Sequence, residues 1–310
     1  MSVPQPTTAP FQPVFSGHET FALRGAWLKK AYDLLLRTPN LFAHEDAFVR
    51  LGVGKNMAQS IRYWGRVCGV FARAGSSFVP TPFGRALLDD DGWDPFLVTP
   101  AARWLLHWQI AARPEAAFTF YFAFNLLRGA EFTAASLAGA LQAYIAEHGW
   151  PSPSAATLGR DVTCLLHCYV RPSAQDLASA GEDTLACPLA DLDLVQLLAA
   201  LGAFRLRTGD QPDLPDALVV FAVRQFLRQQ GRVTAAFHDL VFAPGSPGRV
   251  FRLDEDALLG RLERFEMLTG GAAAYSDSAG VRQVHWAAAL DVDDDLALLA
   301  DAFAQEVGDA

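Results

Sequence analysis

Residues 51–71 read LGVGKNMAQSIRYWGRVCGVF. At helical spacing, Met57, Ile61, Trp64, Cys68 and Phe71 fall on one side of the segment, and Gln59, Arg62, Tyr63 and Arg66 on the other. The first side can be buried; the second then faces solvent with two arginines a turn apart. The whole chain of 310 residues carries a formal charge of −9, so cations gathered on one exposed face call for a reason.

The flanking sequence supplies one. A helix is expected over about 24–37, with Trp27, Leu28, Ala31, Leu34 and Leu35 inward and Lys29, Lys30 and Asp33 outward. A shorter helix over about 44–51 offers Phe48 and Leu51 to the same core. Gly52 and Gly54 make a tight turn, and Asn56 is placed to cap the next helix, with Gln59 three residues on as a variant of the capping box. After Phe71, the run ARAGSSFVPTPFGRALL reads as a strand, a Gly-Ser turn, a second strand and a helical return. Helix, helix, tight turn, helix, hairpin is the order of a winged helix-turn-helix, in which the third helix enters the major groove. Lys55, Asn56, Gln59, Arg62, Tyr63 and Arg66 are the expected DNA contacts, and Lys29 and Lys30 join the same candidate surface. The bland alternative is a solvated face of an ordinary helix.

Dividing the charge favours DNA. Residues 15–88 hold ten Lys or Arg and four acids, a balance of +6; residues 89–310 hold fifteen Arg and thirty acids, a balance of −15. A basic module joined to an acidic remainder fits a chain that meets a polyanion at one end. The acidic remainder is expected to meet basic faces of companion proteins or a second copy of the chain. No apolar run approaches the roughly 20 residues needed to span a bilayer. The start, MSVPQPTTAPFQPVF, has no signal-peptide character, and four cysteines in a chain this long do not make a disulfide framework. A cytoplasmic protein is expected.

The rest reads as mainly α. Residues 1–14 form a tail, 15–92 the winged-helix domain, 93–214 a helical domain, and 215–310 a C-terminal winged-helix-like unit. In the middle, PAARWLLHWQIAARP, FTFYFAFNLL, TAASLAGALQAYIAEHG and TLGRDVTCLLHCYV are apolar helical runs ended by Pro or Gly. Phe118, Phe120, Tyr121, Phe122 and Phe124 are assigned to core, since no basic residue interleaves them as base-stacking surfaces require. In the last unit, helices over about 216–230, 234–242 and 254–268 precede the hairpin AAAYSD-SAG-VRQVHWA. The third of these carries Asp254, Glu255, Asp256, Glu263 and Glu266 against Arg261 and Arg264, a surface for protein rather than phosphate. The tail DVDDDLALLADAF is expected to be a helix with an acidic, solvated start.

Most chemical motifs fail. GVGKN lacks the earlier glycine and the following Ser/Thr of a P-loop, and His18-Glu19 opens an HExxH in which position 22 is Ala. Cys164, His167 and Cys168 could share a metal at i, i+4 spacing, with Cys187 approaching, but buried structural cysteines are the better reading. One loop keeps its interest. In GSPGRVFRLDED (245–256), Arg249 and Arg252 could clamp a phosphate, while Asp254 or Asp256 could hold Mg2+. Its plain reading is an arginine-stitched loop before a helix capped by Asp254.

Five stretches, FSGHETFALRGAWLKKAYD, LGVGKNMAQSIRYW, TLGRDVTCLLHCYV, DTLACPLADLDLV and PGSPGRVFRLDEDALLGRLE, together resemble a bacterial family of domains of unknown function. The resemblance runs in order from Phe15 to about Trp286. Members are encoded beside DNA phosphorothioation and phage-defence genes, and the likeness is closest to the nicking component of the Ssp-type system. It implies action with a cysteine desulfurase, an ATPase and a sulfur-transfer protein. It places no catalytic residue, so strand cleavage rests on the resemblance alone while DNA binding rests on the residues. Asp254 and Arg249 are the catalytic candidates, and Asp254 and Asp256 the metal candidates, should the chain nick DNA with Mg2+. The rival is a non-enzymatic winged-helix regulator or assembly adaptor of a defence operon.

Overall fold

The first helix, α1 (Gly25–Arg37), presents Trp27, Leu28, Ala31, Tyr32 and Leu35 to the interior, much as its periodicity requires. This computed structural model describes residues 12–172, 187–287 and 294–308. A 3-10 turn (Leu41–Ala43) and one short helical turn, α2 (Ala47–Arg50), lead through Gly52 to α3 (Lys55–Val67). Strands β1 (Phe71–Ala74) and β2 (Ser77–Pro80) form an antiparallel hairpin with Phe71 opposite Pro80. Helix α4 (Pro82–Leu88) closes the module, started by Pro82 and by Thr81 Oγ1 accepting from Gly84 N–H at 2.8 Å.

Hydroxyl caps also start the middle helices, where they satisfy otherwise orphaned N–H groups. Thr99 caps α5 (Pro100–Ala111), Thr133 with Ser136 caps α7 (Ala134–Glu147), and Ser154 caps α8 (Ala155–Tyr169). Between them α6 (Phe118–Tyr121) widens into a π turn, Phe122–Leu126. The five aromatic side chains at 118, 120, 121, 122 and 124 are buried, as expected. The middle is not all helix, however. Strands β3 (Glu131–Phe132), β4 (Val195–Leu198) and β5 (Ala203–Leu206) form an antiparallel sheet in the order β3-β5-β4. With two to four residues each, they are too short to show an alternating pattern.

The last part opens with the expected helix, Asp216–Gln229. The run from 234 begins as a strand, β6 (Thr234–Ala236), before a helix, Phe237–Phe242. A four-residue turn, Pro247–Val250, was not anticipated, and the helix expected over 254–268 is two, Glu255–Leu262 and Phe265–Leu268. Strands β7 (Ala273–Ser278) and β8 (Val281–Trp286) make the expected hairpin, with Ala279 and Gly280 both at positive φ in its turn and β6 pairing on the far edge of β8. In the terminal helix, Asp294–Gly308, Asp295 is not solvated as expected but buried, taking Arg224 Nε at 3.1 Å and Arg228 Nη2 at 2.6 Å; residues 291–293 of the expected acidic start lie outside the described residues. One contiguous buried cluster runs from Leu23 on the first segment to Phe303 on the last helix. Among the described residues, no helix is long and apolar enough to cross a membrane.

Candidate nucleic-acid interface

Helix α3 is positioned from beneath. Ile61, Trp64 and Cys68 are fully buried, Phe71 nearly so, and Met57 partly. Trp64 donates from Nε1 to Phe21 O at 3.0 Å and meets Phe120 edge-on at 5.7 Å, so the helix is seated on both the entry segment and α6. Arg113 at the end of α5 donates to Val67 O at 2.6 Å and ties down the far end of α3.

That seating leaves Lys55, Asn56, Gln59 and Arg66 exposed and Arg62 half-buried. None of these side chains takes part in a hydrogen bond or ion pair with the described residues; Lys55 Nζ lies 5.4 Å from the Phe48 ring centre. Two expectations fail here. Asn56 does not cap α3: the helix begins at Lys55 after an extended Gly54, so Asn56 is already inside the first turn. Tyr63 is half-buried rather than on an open face. Its ring lies against Gly17, with His18 and Trp64 edge-on at 6.0 and 5.1 Å, and burial pushes its hydroxyl well above the usual range. Nor is Lys29 a free cation. Burial opposes its charge, yet hydrogen bonds to Asp33 (2.8 Å) and Asp90 (2.7 Å) prevail and raise its pKa. Lys30 stays exposed, reaching Leu51 O at 3.3 Å.

Arginines of the acidic part contrast with Arg62 and Arg66. Arg103, Arg205, Arg207, Arg224, Arg228, Arg261, Arg264 and Arg282 each have a carboxylate within 3.4 Å. Arg261 also holds the carbonyls of Asp210, Gln211 and Leu214, and with Arg264 grips Asp216; both are structural. On α3, by contrast, Lys55, Arg62 and Arg66 stand within three turns of one another with no ion pair to the described residues.

A buried polar joint, missed in the sequence reading, fixes the entry segment. His18 accepts from Thr20 N–H at Nδ1, so Nε2 carries the proton and donates to Asp161 of α8 at 3.0 Å. Asp161 also accepts from Ser16 N–H (3.0 Å) and Thr119 Oγ1 (3.1 Å). Ser16, Glu19 and Thr20 stand at positive φ around it, a strained turn that persists because its surroundings over-determine it.

The GSPGRVFRLDED segment is held from the core as well. Asn125, inside the π turn, donates to Ala111 O and Tyr121 O and accepts from Gly245 N–H at 2.8 Å. His107 donates from Nε2 to Val250 O at 2.6 Å and takes the Tyr169 hydroxyl at Nδ1, also at 2.6 Å. Burial lowers its pKa to about 4. Gly248 has no room for a side chain, since a Cβ would lie 2.6 Å from Val241 Cα. On this frame Arg249 donates to Phe242 O and Arg252, at φ +55, to Thr208 Oγ1. Neither guanidinium has a carboxylate partner among the described residues. Burial, with Arg249 close by, lowers the Arg252 pKa to about 10, and its Nε is buried without an acceptor. Asp254 caps the following helix through Oδ1, accepting from Ala257 N–H at 2.8 Å; Asp256 is exposed on the first turn.

Cys164 and Cys168 are buried on one side of α8 with Cys187 in hydrogen-bond reach of Cys168, and His167 is exposed on the other side. Among the described residues, no group of three or more His, Cys, Asp or Glu stands placed to hold a metal ion.

Two solved structures share this arrangement. One, described as "SspB crystal structure", matches with a TM-score of 0.83 and 30% identity over 94% of this chain and 88% of that one. The other, "Magnesium ion-bound SspB crystal structure", matches with a TM-score of 0.80 and 29% identity over 96% and 97%. None of the curated proteins matches. Residues 15–302 match the family described as "Protein of unknown function (DUF4007)", and the chain belongs to that family.

Proposed function

We propose that this chain is the DNA-binding component of a bacterial phosphorothioation system serving phage defence, and that it nicks DNA or presents it for sulfur incorporation. The observation that carries DNA binding is the cluster Lys55, Arg62 and Arg66 on one helix, without ion pairs to the described residues, in the part of the chain whose charge balance is +6. On this reading residues 15–92 act as a winged helix with β1–β2 as the wing, 93–214 as a helical domain, and 215–310 as a winged-helix-like unit turned toward protein. The kinship with SspB supports the system; its partners would be a cysteine desulfurase, an ATPase and a sulfur-transfer protein, met through the acidic surface, or a second copy of the chain.

For cleavage, the supporting feature is the pair Arg249 and Arg252, two adjacent guanidiniums without a carboxylate, suited to a phosphate. Asp254 has one carboxylate oxygen left beyond its cap, and Asp256 is exposed. That donor set fits a magnesium ion completed by substrate phosphate and water rather than one caged by protein. When bound, such an ion would activate water and neutralise charge on the phosphodiester. Asp254 as a cap equally suits a non-enzymatic adaptor or regulator, and a magnesium-dependent nicking assay on supercoiled plasmid separates the two.

Binding is tested by Arg62→Ala with Arg66→Ala in a salt series read by fluorescence anisotropy. Each lost phosphate contact removes about 0.9 from the log–log slope, so the pair should flatten it by roughly 1.8. A folded double variant with the parent slope and affinity refutes the assignment of α3.

A further inference from the structure

Beside the recognition face, the start of α1, the α2 turn and the entry to α3 enclose an open groove of about 600 Å3. Its walls combine Trp27, Phe48 and Val49 with the cations Arg24 and Lys30, and no acidic residue among those described lines it. Lys55 stands at the rim with its ammonium over Phe48, and the Arg24 guanidinium lies 4.8 Å from the Trp27 ring centre. Val49 is 65% exposed, an aliphatic side chain left to water within a basic surface.

Gly54 adds an independent mark. Its backbone, at φ −71 and ψ 161, is open to any residue, and a Cβ there would meet nothing within 4 Å. Neither conformation nor internal packing requires glycine at this position; its lack of a side chain keeps the groove wall low.

We propose that this groove receives an unpaired nucleotide of DNA, its base against the apolar and aromatic wall and its phosphate toward Lys30 and Lys55. The inference rests on the DNA-binding reading above and extends it to the kind of strand recognised. A paired duplex offers phosphates and base edges, so it would satisfy the cations and leave the apolar wall wet. An unpaired base offers a flat apolar face, and aromatic rings or arginine planes next to cations are the general means of holding one. The volume is within the roughly 300–1,000 Å3 of small-molecule sites. The groove adjoins the first turn of α3, which places an extruded or melted nucleotide next to duplex held by Gln59, Arg62 and Arg66.

The test uses the full chain and two labelled DNAs: a paired duplex, and the same duplex with one unpaired thymidine. By anisotropy at fixed salt, the wild type should prefer the bulged duplex by about fivefold or more, the scale of one base stacking on a protein surface. Val49→Asp should bring that ratio close to one. Val98→Asp, which adds the same charge on the loop before α5, should keep it. The ratio is the readout, because an added carboxylate weakens both complexes. Equal binding of both DNAs by the wild type, or a preference that survives Val49→Asp, overturns the groove while leaving α3 as a duplex contact. Absence of salt-dependent binding to either DNA removes both readings.

Discussion

Protonating His107 should unlock the Arg249 segment, and the size of the effect follows from its surroundings. The imidazole is fully buried against Trp104, Phe124, Tyr169 and Phe251. Val250 O can only accept, so Nε2 holds the single proton and Nδ1 must accept from Tyr169. A second proton would remove that acceptor and place a charge in an apolar site. The folded pKa of about 4 lies below the ordinary 6.5, so between those values the unfolded chain binds more protons and stability rises with pH. The contribution is complete above about pH 6.5 and drains away as pH falls toward 4. At roughly 1.4 kcal/mol per pH unit, it reaches about 3 kcal/mol in all, and about 2–3 kcal/mol is gone by pH 4.5. Urea unfolding of wild type and His107→Gln at pH 7 and pH 4.5 isolates it, because carboxylates titrate alike in both. The wild type should lose about 2–3 kcal/mol more than the variant over that interval. Equal losses would mean that His107 is not held neutral by burial, and the frame around Val250 would need another explanation.

Trp64→Ala should cost about 3–5 kcal/mol, since it removes a fully buried indole at the junction of three segments; thermal unfolding checks it, and an unchanged Tm would mean α3 is not seated as described. Asp254→Asn should keep its cap and therefore its Tm, because Asn caps as well as Asp, while losing nicking if the free oxygen serves a metal. Arg249→Ala should also stay folded and nick poorly; wild-type nicking by both folded variants would leave the segment structural.

The parts of the fold that were readable are those where one face is buried over several turns. Helices α1 and α3 announce themselves in that way, since Trp27 to Leu35 and Met57 to Trp64 repeat at helical spacing, although Phe71, expected on the same helix, begins β1. The second hairpin shows in Ala279-Gly280, which allows a tight reversal. Strands β3 to β5 were not readable because segments of two to four residues carry no period. Within the candidate interface, Arg62, Gln59 and Arg66 were assigned to the outer face correctly. Tyr63 is half-buried instead, because the Gly17 backbone lies against its ring and His18 meets it edge-on, both from a segment distant in sequence. The frame of the Arg249 segment had a faint signal: His107 within WLLHW and Asn125 within FAFNLL are single polar residues in apolar runs. Such residues must find partners when buried, and here both find the backbone of the GSPGRV loop. Composition could not say which loop that would be.

The joint between His18 and Asp161 bears on how this sequence can change over generations. One carboxylate answers an imidazole and a backbone amide from the entry segment and a threonine hydroxyl from α6. Losing it alone would strand all three inside the protein, and losing His18 alone would leave a buried charge short of its donor. A viable path away from this pair therefore passes through paired substitutions, as coupled neighbours behave in double-mutant cycles. Positions 18 and 161, 143 residues apart, should be inherited as a single character: kept together, or exchanged together.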